Sequence, residues 1–109
     1  MATRKYSVAV NGERNYQDAI AAIGEGEAVV LFHEADNPYD ERAIAVSCHG
    51  DTIGYIPRDC WLTEVLLDEG KGCSARVSRL TRGPKNLTGV TLEVQLGGTP
   101  IKERAFDPD

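Results

Sequence analysis

The chain is poor in the residues that mark a membrane span, a disulfide scaffold or a metal ribbon. No apolar run approaches the ~18 residues that cross a bilayer, and no basic, apolar and small-residue leader opens it. Cysteine occurs three times, at Cys48, Cys60 and Cys73, an odd number with spacings of 12 and 13 residues. Without a C-x-x-C pair there is neither a zinc ribbon nor a thioredoxin-type motif, and free thiols, buried or half-buried, are expected. His33 and His49 stand on or beside neighbouring expected strands, but with Cys48 they have no metal-ligand spacing. No metal and no cofactor is therefore expected. A G-x-x-x-x-G-K-[ST] phosphate loop is missing, so the chain is no translocase. Asp36, Asp40 and Glu41 near His33 mimic a nuclease's carboxylate cluster. They fall on a turn rather than on strand ends, with no lysine close in sequence, and no enzyme is expected. Together these absences lead us to expect a soluble, cytoplasmic protein, nucleoid-associated if it binds DNA, with no membrane partner.

What remains is one domain's worth of sequence. The 109 residues are 41% hydrophobic, enough for a core without staples. The formal net charge is -5, which alone argues against a polyanion partner, but the charge is unevenly placed. Residues 1–70 carry 5 basic and 13 acidic side chains, whereas residues 71–109 carry 7 basic and 4 acidic. Arg76, Arg79, Arg82 and Lys85 follow Lys71 with no acid among them. They are candidate phosphate contacts on a basic hairpin, and equally a solvated strand face.

Hydrophobic periodicity predicts six strands and two helices. Tyr6, Val8 and Val10 alternate as a half-buried strand, and Asn11-Gly12 turns it. Tyr16, Ile20 and Ile23 share one face of a short helix, with Asn15 as candidate cap. Further strands are expected over Glu27–Glu34, Ala43–Cys48 and Thr52–Ile56, with His49-Gly50-Asp51 as a hairpin turn. Asp59 is placed to cap a helix running to about Asp68, with Leu62, Leu66, Trp61 and Val65 on a broad apolar face and Gly70 past its end. Two more strands, Cys73–Thr81 and Val90–Leu96, flank a loop. From Gly97 the chain is polar and contains proline, and a flexible tail over 98–109 is expected after a domain over 1–97. Short strands joined by turns need a shared core and managed edges. The expectation is therefore a mainly β (α+β) fold, a small OB-like six-stranded antiparallel β-barrel with two α-helices.

The most chemically loaded stretch runs from Asp36 to Arg58. Asn37-Pro38-Tyr39-Asp40 presents an aromatic and a carboxylate side by side, and Ile53-Gly54-Tyr55-Ile56-Pro57-Arg58 brings a second aromatic and a base. The first four residues are also complete turn chemistry in themselves. Tyr55 reads equally as a barrel residue with its hydroxyl at the rim, Gly54 as a bulge or close backbone approach, and Arg58 as the partner of a nearby acid.

Three blocks here resemble the HIRAN domain: Val10-Asn11-Gly12-Glu13-Arg14-Asn15-Tyr16-Gln17, Glu34-x-x-Asn37-Pro38-Tyr39-Asp40-x-x-Ala43-Ile44-x-Val46, and Ile53-Gly54-Tyr55-Ile56-Pro57-Arg58. HIRAN domains occur in helicase-like DNA translocases that remodel stalled forks, and as small free-standing bacterial and phage proteins. The resemblance covers roughly residues 6–97. It implies a compact OB-like barrel with two helices, acting as a monomer on single-stranded DNA at a free 3′-hydroxyl end in DNA repair, beside a DNA-processing protein. Carried over, Tyr39 would stack on the terminal base and Asp40 accept from the 3′-hydroxyl. Arg14 would lie near the base or backbone, and Tyr55 and Arg58 along the phosphates. Asn15 stands where a first tyrosine is expected, with Tyr16 adjacent and able to substitute by a shift of register. Losing one stacking face would weaken binding by ~1–3 kcal/mol. Tyr55 replaces a histidine, and Arg82–Gly89 lacks an aromatic contact of other members. The same barrel could instead serve as a protein-interaction or adaptor module through an acidic face formed by Glu25, Glu27, Glu34, Asp36 and Glu41.

Overall fold

All six expected strands form, because each has at least one row of apolar side chains to bury. In the computed structural model, which describes residues 4–106, β1 (Lys5–Ala9), β2 (Ala28–Glu34), β3 (Ala43–Cys48), β4 (Asp51–Tyr55), β5 (Gly72–Arg82) and β6 (Thr88–Pro100) pair antiparallel in the order β1-β6-β5-β2-β3-β4. The ends of that path meet at one point. Asn11 and Tyr55 exchange both backbone hydrogen bonds, at 2.7 and 2.8 Å. The result is a curled, OB-like sheet joined at a seam rather than a fully closed barrel.

The core lies inside the curl. Val8, Leu31, Val46, Ile53, Val77, Leu92 and Val94 fill it from the strands, and Ile20, Leu62 and Leu66 plug it from the helices. Helix α1 (Gln17–Ile20) follows a 3-10 turn, Glu13–Asn15. Asn15 ends that turn instead of capping the helix, whose first flanking residue is Tyr16. Helix α2 (Trp61–Thr63) runs straight into a π-helical turn, Glu64–Asp68, in which the Glu69 amide donates to Glu64 O. Cys60, in extended conformation, precedes it, so Asp59 is no cap either. The wider π turn keeps Leu62 and Leu66 in the core while Val65 is only half-buried. Trp61 stays outside and packs its ring on Tyr6, centroids 4.8 Å apart. None of the helices in the described residues is long and apolar enough to cross a membrane. Cys48, Cys60 and Cys73 are free thiols.

Residues 98–106 of the expected tail are built into the fold. β6 continues to Pro100, and a seventh strand, β7 (Lys102–Glu103), pairs in parallel with Phe32 and His33 of β2, beyond the point where β5 leaves that edge. The Arg104 amide then donates to His33 O, and its guanidinium reaches Glu34 Oε2 from Nε at 2.8 Å. Composition speaks only of side chains, whereas this segment docks mainly by main-chain pairing and by the polar contacts of Arg104 and Phe106, with Ile101 packed against the core. Residues 107–109, the last of the expected tail, lie outside the described residues.

Gly54 sits at the seam with φ +151°, beside a bulge between β3 and β4 that admits the fully buried Ile53. A Cβ there would fall on Val10 Cγ1 and within 2.7 Å of Asn11 O. Backbone strain and overpacking each cost ~1–3 kcal/mol. Gly54→Ala should therefore destabilise by about 2–6 kcal/mol in urea denaturation, while Gly24→Ala, whose nearest neighbour is a Glu27 carboxylate oxygen at 4.0 Å, should stay near the wild type.

Glu34→Ala should cost about 3 kcal/mol, the lower end of the range for breaking a buried ion pair, because Arg104 keeps some water contact. A cycle with Arg104→Ala should show strong coupling. Additive losses in thermal melts would mean that the C-terminal segment is held by its strand pairing alone.

Candidate nucleic-acid interface

The site begins with a carboxylate that the fold has removed from water. Glu34, at the end of β2, is 0% exposed. A buried carboxylate needs partners on both oxygens, and it has them. Oε1 accepts from the Tyr55 hydroxyl at 2.8 Å and from Asn37 Nδ2 at 3.1 Å. Oε2 accepts from Arg104 Nε, whose Nη2 also donates to Thr52 Oγ1 at 2.6 Å. The Arg104 guanidinium lies 5.3 Å from the centre of the Phe32 ring. Burial, and after it the bond to Glu34, pushes the Tyr55 hydroxyl well above the ordinary tyrosine range.

That carboxylate sets the turn carrying the sequence motif. With its amide nitrogen fixed to Glu34, Asn37 uses its carbonyl oxygen to accept the Tyr39 amide at 2.9 Å. Asp40 Oδ1 accepts the Arg42 amide at 3.0 Å. Backbone bonds Asn37 N to Glu34 O, Asp40 N to Asn37 O and Ala43 N to Asp40 O close it. These are the side-chain-to-backbone turns that Asn and Asp make in short loops. Arg42 ties the turn to the π-helical segment by two parallel bonds to Asp68, at 2.8 and 2.9 Å, and holds the Asp68 carboxyl below its usual range. The turn's own chemistry is thus spent on its backbone, and Tyr39 is left 80% exposed on a fixed loop.

Opposite this turn stand the residues after β1. A groove of about 680 Å³ lies between Asn11, Gly12, Asn15 and Tyr16 on one side and Tyr39, Asp40, Arg58 and Phe106 on the other. A second groove, of about 790 Å³, shares Asn15, Tyr16 and Tyr55 with the first and is bordered by Arg14, Gln17, Thr52 and Arg104. Tyr16 and Tyr55 pack with ring centres 6.2 Å apart, so Tyr16 serves both the apolar face of the first helix and the groove wall. Arg58 donates from Nη2 to Tyr39 O at 3.1 Å and lies 3.5 Å from Asp40 Oδ2. Its guanidinium is fixed over the Tyr39–Asp40 pair and remains largely solvated.

The structure therefore brings Arg14, Asn15, Tyr16, Tyr39, Asp40, Tyr55 and Arg58 to two grooves that share Asn15, Tyr16 and Tyr55. Tyr55 points its hydroxyl at Glu34 rather than outward. The basic hairpin residues do not line either groove. Arg76 is bonded to Glu93 Oε1 from both Nε and Nη2. Arg82 and Lys85 lie at the β5–β6 turn, whose Thr88 exchanges two hydrogen bonds with Gln17, a residue of the second groove. The hairpin tip thus adjoins the outer end of that groove, and Arg79 lies further along β5.

The expected acidic face is mostly occupied with the protein itself. Glu25 accepts the Leu80 amide, Glu27 accepts the Gly24 amide and meets His49 at 2.6 Å, Asp36 accepts the Phe106 amide, and Glu34 is buried. Glu27, Cys48 and His49 have ligand atoms within 4.8 Å of one another. Cys48 Sγ contacts Ala28 O, and burial first, then Glu27, raises its thiol pKa, so each of the three already holds a protein partner. His33 stands apart, facing Glu41 O at 2.8 Å. Arg104 and Phe106 escaped the sequence reading because they lie beyond the motif blocks. The acid at the end of the mostly apolar β2, Glu34, was the one signal that a distant cation would be needed.

The chain matches the family model of the HIRAN domain over residues 4–96. No curated protein matches it. It is similar to the crystal structure of the HIRAN domain of human HLTF, with 22% identity and a TM-score of 0.64 over 85% of this chain and 75% of that one. It is also similar to the crystal structure of a protein from Lactobacillus plantarum, with 26% identity and a TM-score of 0.57 over 84% of this chain and 99% of that one. The family match takes in all three motif blocks and the groove residues named above except Arg104 and Phe106. On that match, the chain belongs to the HIRAN domain family.

Proposed function

We propose that this chain, a member of a family of DNA-binding domains, binds single-stranded DNA at a free 3′-hydroxyl end in the groove beside Tyr39. The observation that carries this reading is an 80% exposed tyrosine on a turn whose Asn37, Tyr39, Asp40, Arg42 and Ala43 amides are all hydrogen-bonded. A ring offered to solvent on a rigid loop stacks on a base at little entropic cost.

The neighbouring groups fit the rest of a strand end. Asp40 uses Oδ1 for its turn and keeps Oδ2 toward Arg58. Oδ2 accepts from the terminal hydroxyl, a charge-assisted bond, and repels a terminal phosphate, so an extendable end is told from a blocked one. Arg58 serves the first phosphate, and the strand continues past Tyr16 and Arg14 toward Arg82 and Lys85. Few cations line this path, so affinity rests on stacking and the end contact more than on counterion release. Tyr55 acts from behind, holding the groove floor through Glu34.

The test is a fluorescence-polarisation titration of the full chain with a strand of about ten nucleotides, ending in a 3′-hydroxyl or a 3′-phosphate. Tighter binding to the hydroxyl end is expected. Tyr39→Ala should weaken that binding by ~1–3 kcal/mol, about fivefold or more. Asp40→Asn, whose Oδ1 stays on the Arg42 amide and whose Nδ2 cannot accept from the hydroxyl, should weaken binding to the hydroxyl end and remove most of the discrimination against phosphate. Equal weak binding to both ends would reassign the groove to generic electrostatics. Binding to neither would remove DNA ends from its function and turn the search to a protein partner.

A further inference from the structure

The segment that carries Phe106 lies beyond the residues matched to the family, 4–96, yet it is fastened to the site at three successive points. β7 pairs with β2, Arg104 bonds Glu34 and Thr52, and the Phe106 amide donates to Asp36 Oδ1 at 2.9 Å. The last of these sets the Phe106 ring against Tyr39, with centres 6.2 Å apart and planes at 75°. Both rings line the same groove, together with Asp40, Arg58 and Tyr16. One carboxylate governs both positions, since Glu34 bonds Asn37, two residues before Tyr39, and Arg104, two residues before Phe106.

The other aromatic rings of the groove are less available to a base beside Tyr39. Tyr16 and Tyr55 pack on each other, and the Tyr55 hydroxyl is held by Glu34. Asn15 offers an amide in place of an aromatic face. A base stacked on Tyr39 with its sugar at Asp40 has one further apolar surface within reach, the half-buried ring of Phe106.

We infer that Phe106 is a base-contacting residue, the apolar wall of the end pocket, delivered there by the docking of the C-terminal segment. This rests on the reading of the groove as a site for strand ends. The wall excludes water from the stacked base and braces Tyr39 by the edge-to-face geometry that aromatic pairs prefer. It makes the pocket specific for an end that carries a base, over and above the hydroxyl selected by Asp40.

The test compares wild type, Phe106→Ala, Phe106→Leu and Phe106→Tyr on two strands with a free 3′-hydroxyl. One carries an ordinary terminal nucleotide, and the other a terminal abasic nucleotide. Near-UV circular dichroism and thermal midpoints report whether each variant keeps the fold. Phe106→Ala and Phe106→Leu should weaken binding to the ordinary end about fivefold to tenfold and leave binding to the abasic end unchanged. Phe106→Tyr should bind as the wild type does. If the Ala variant does not fold, the Leu variant, which keeps apolar bulk in the docked segment, gives the same reading. Equal losses on both strands would make Phe106 a structural residue and overturn the inference, as would no loss on either. A wild type that ignores the end group altogether would instead overturn the reading of the groove, and this inference with it.

Discussion

Glu34 is the constraint on which the site depends. Placing a carboxylate at 0% exposure in a β-sheet core is unfavourable by several kcal/mol unless its oxygens are satisfied. Here satisfaction comes from three separate parts of the chain: the hydroxyl of Tyr55 on β4, the amide of Asn37 in the turn after β2, and the guanidinium of Arg104 beyond β7. Those three donors are also what fix the groove floor, the Tyr39 loop and the C-terminal segment. Replacing one of them leaves a buried charge under-bonded, so the penalty is felt at all three places. A buried polar hub of this kind adds little to net stability compared with an apolar core, but it specifies one arrangement of the elements around it.

Rigidity and exposure are usually opposed, and the Asn37–Asp40 turn reconciles them. Asn37 is nearly buried and spends its side chain on Glu34 and on the Tyr39 amide. Pro38 fixes one φ and Asp40 closes the next turn. Nothing of this bonding involves the Tyr39 ring, which is why it stands in solvent on an ordered backbone. The plain reading of these residues as turn chemistry and the functional reading are therefore not alternatives. The turn chemistry is what holds the aromatic out. The same holds for Arg58, which pairs with Asp40 as a nearby acid would require and by doing so sits above the Tyr39–Asp40 pair.

The strands were legible because alternation in Val8, Leu31, Val46, Leu92 and Val94 reports a buried face directly. The helix cores at Ile20, Leu62 and Leu66 were legible for the same reason. The caps were not. Asn15 and Asp59 have the right chemistry in the right neighbourhood, yet local turns claim Asn15 and an extended Cys60 follows Asp59. Capping is decided by a backbone angle at one residue, which side-chain identity only biases. β7 was invisible because parallel pairing with Phe32 and His33 uses backbone groups that every residue has. Arg104 and Phe106 were invisible because their partners are about 70 residues away in sequence, as the separations of the Glu34 and Asp36 bonds show. The grouping of Arg14, Tyr16, Tyr39, Asp40, Tyr55 and Arg58 came from motif resemblance, and no periodicity would have assembled it.

The position of the groove follows from how the sheet ends. An open sheet leaves unpaired amides and carbonyls on its two edge strands, and a fully closed barrel leaves none. This sheet does something intermediate: the chain just past β1 bridges to β4 where Asn11 meets Tyr55, and Gly54 is needed there because Val10 and Asn11 O occupy the space a side chain would take. On either side of that contact the backbone diverges, and the chain leaving β1 turns away through Gly12 with φ +72°. The divergence opens the groove. It places Gly12–Tyr16, from the start of the chain, opposite Tyr39–Arg58, from its middle, with Tyr55 on the floor between them. A tighter closure would pair more backbone and erase the cleft, and a looser one would leave its two walls unconnected. The single bridge is the arrangement that keeps both walls in register across an opening wide enough to take a ligand.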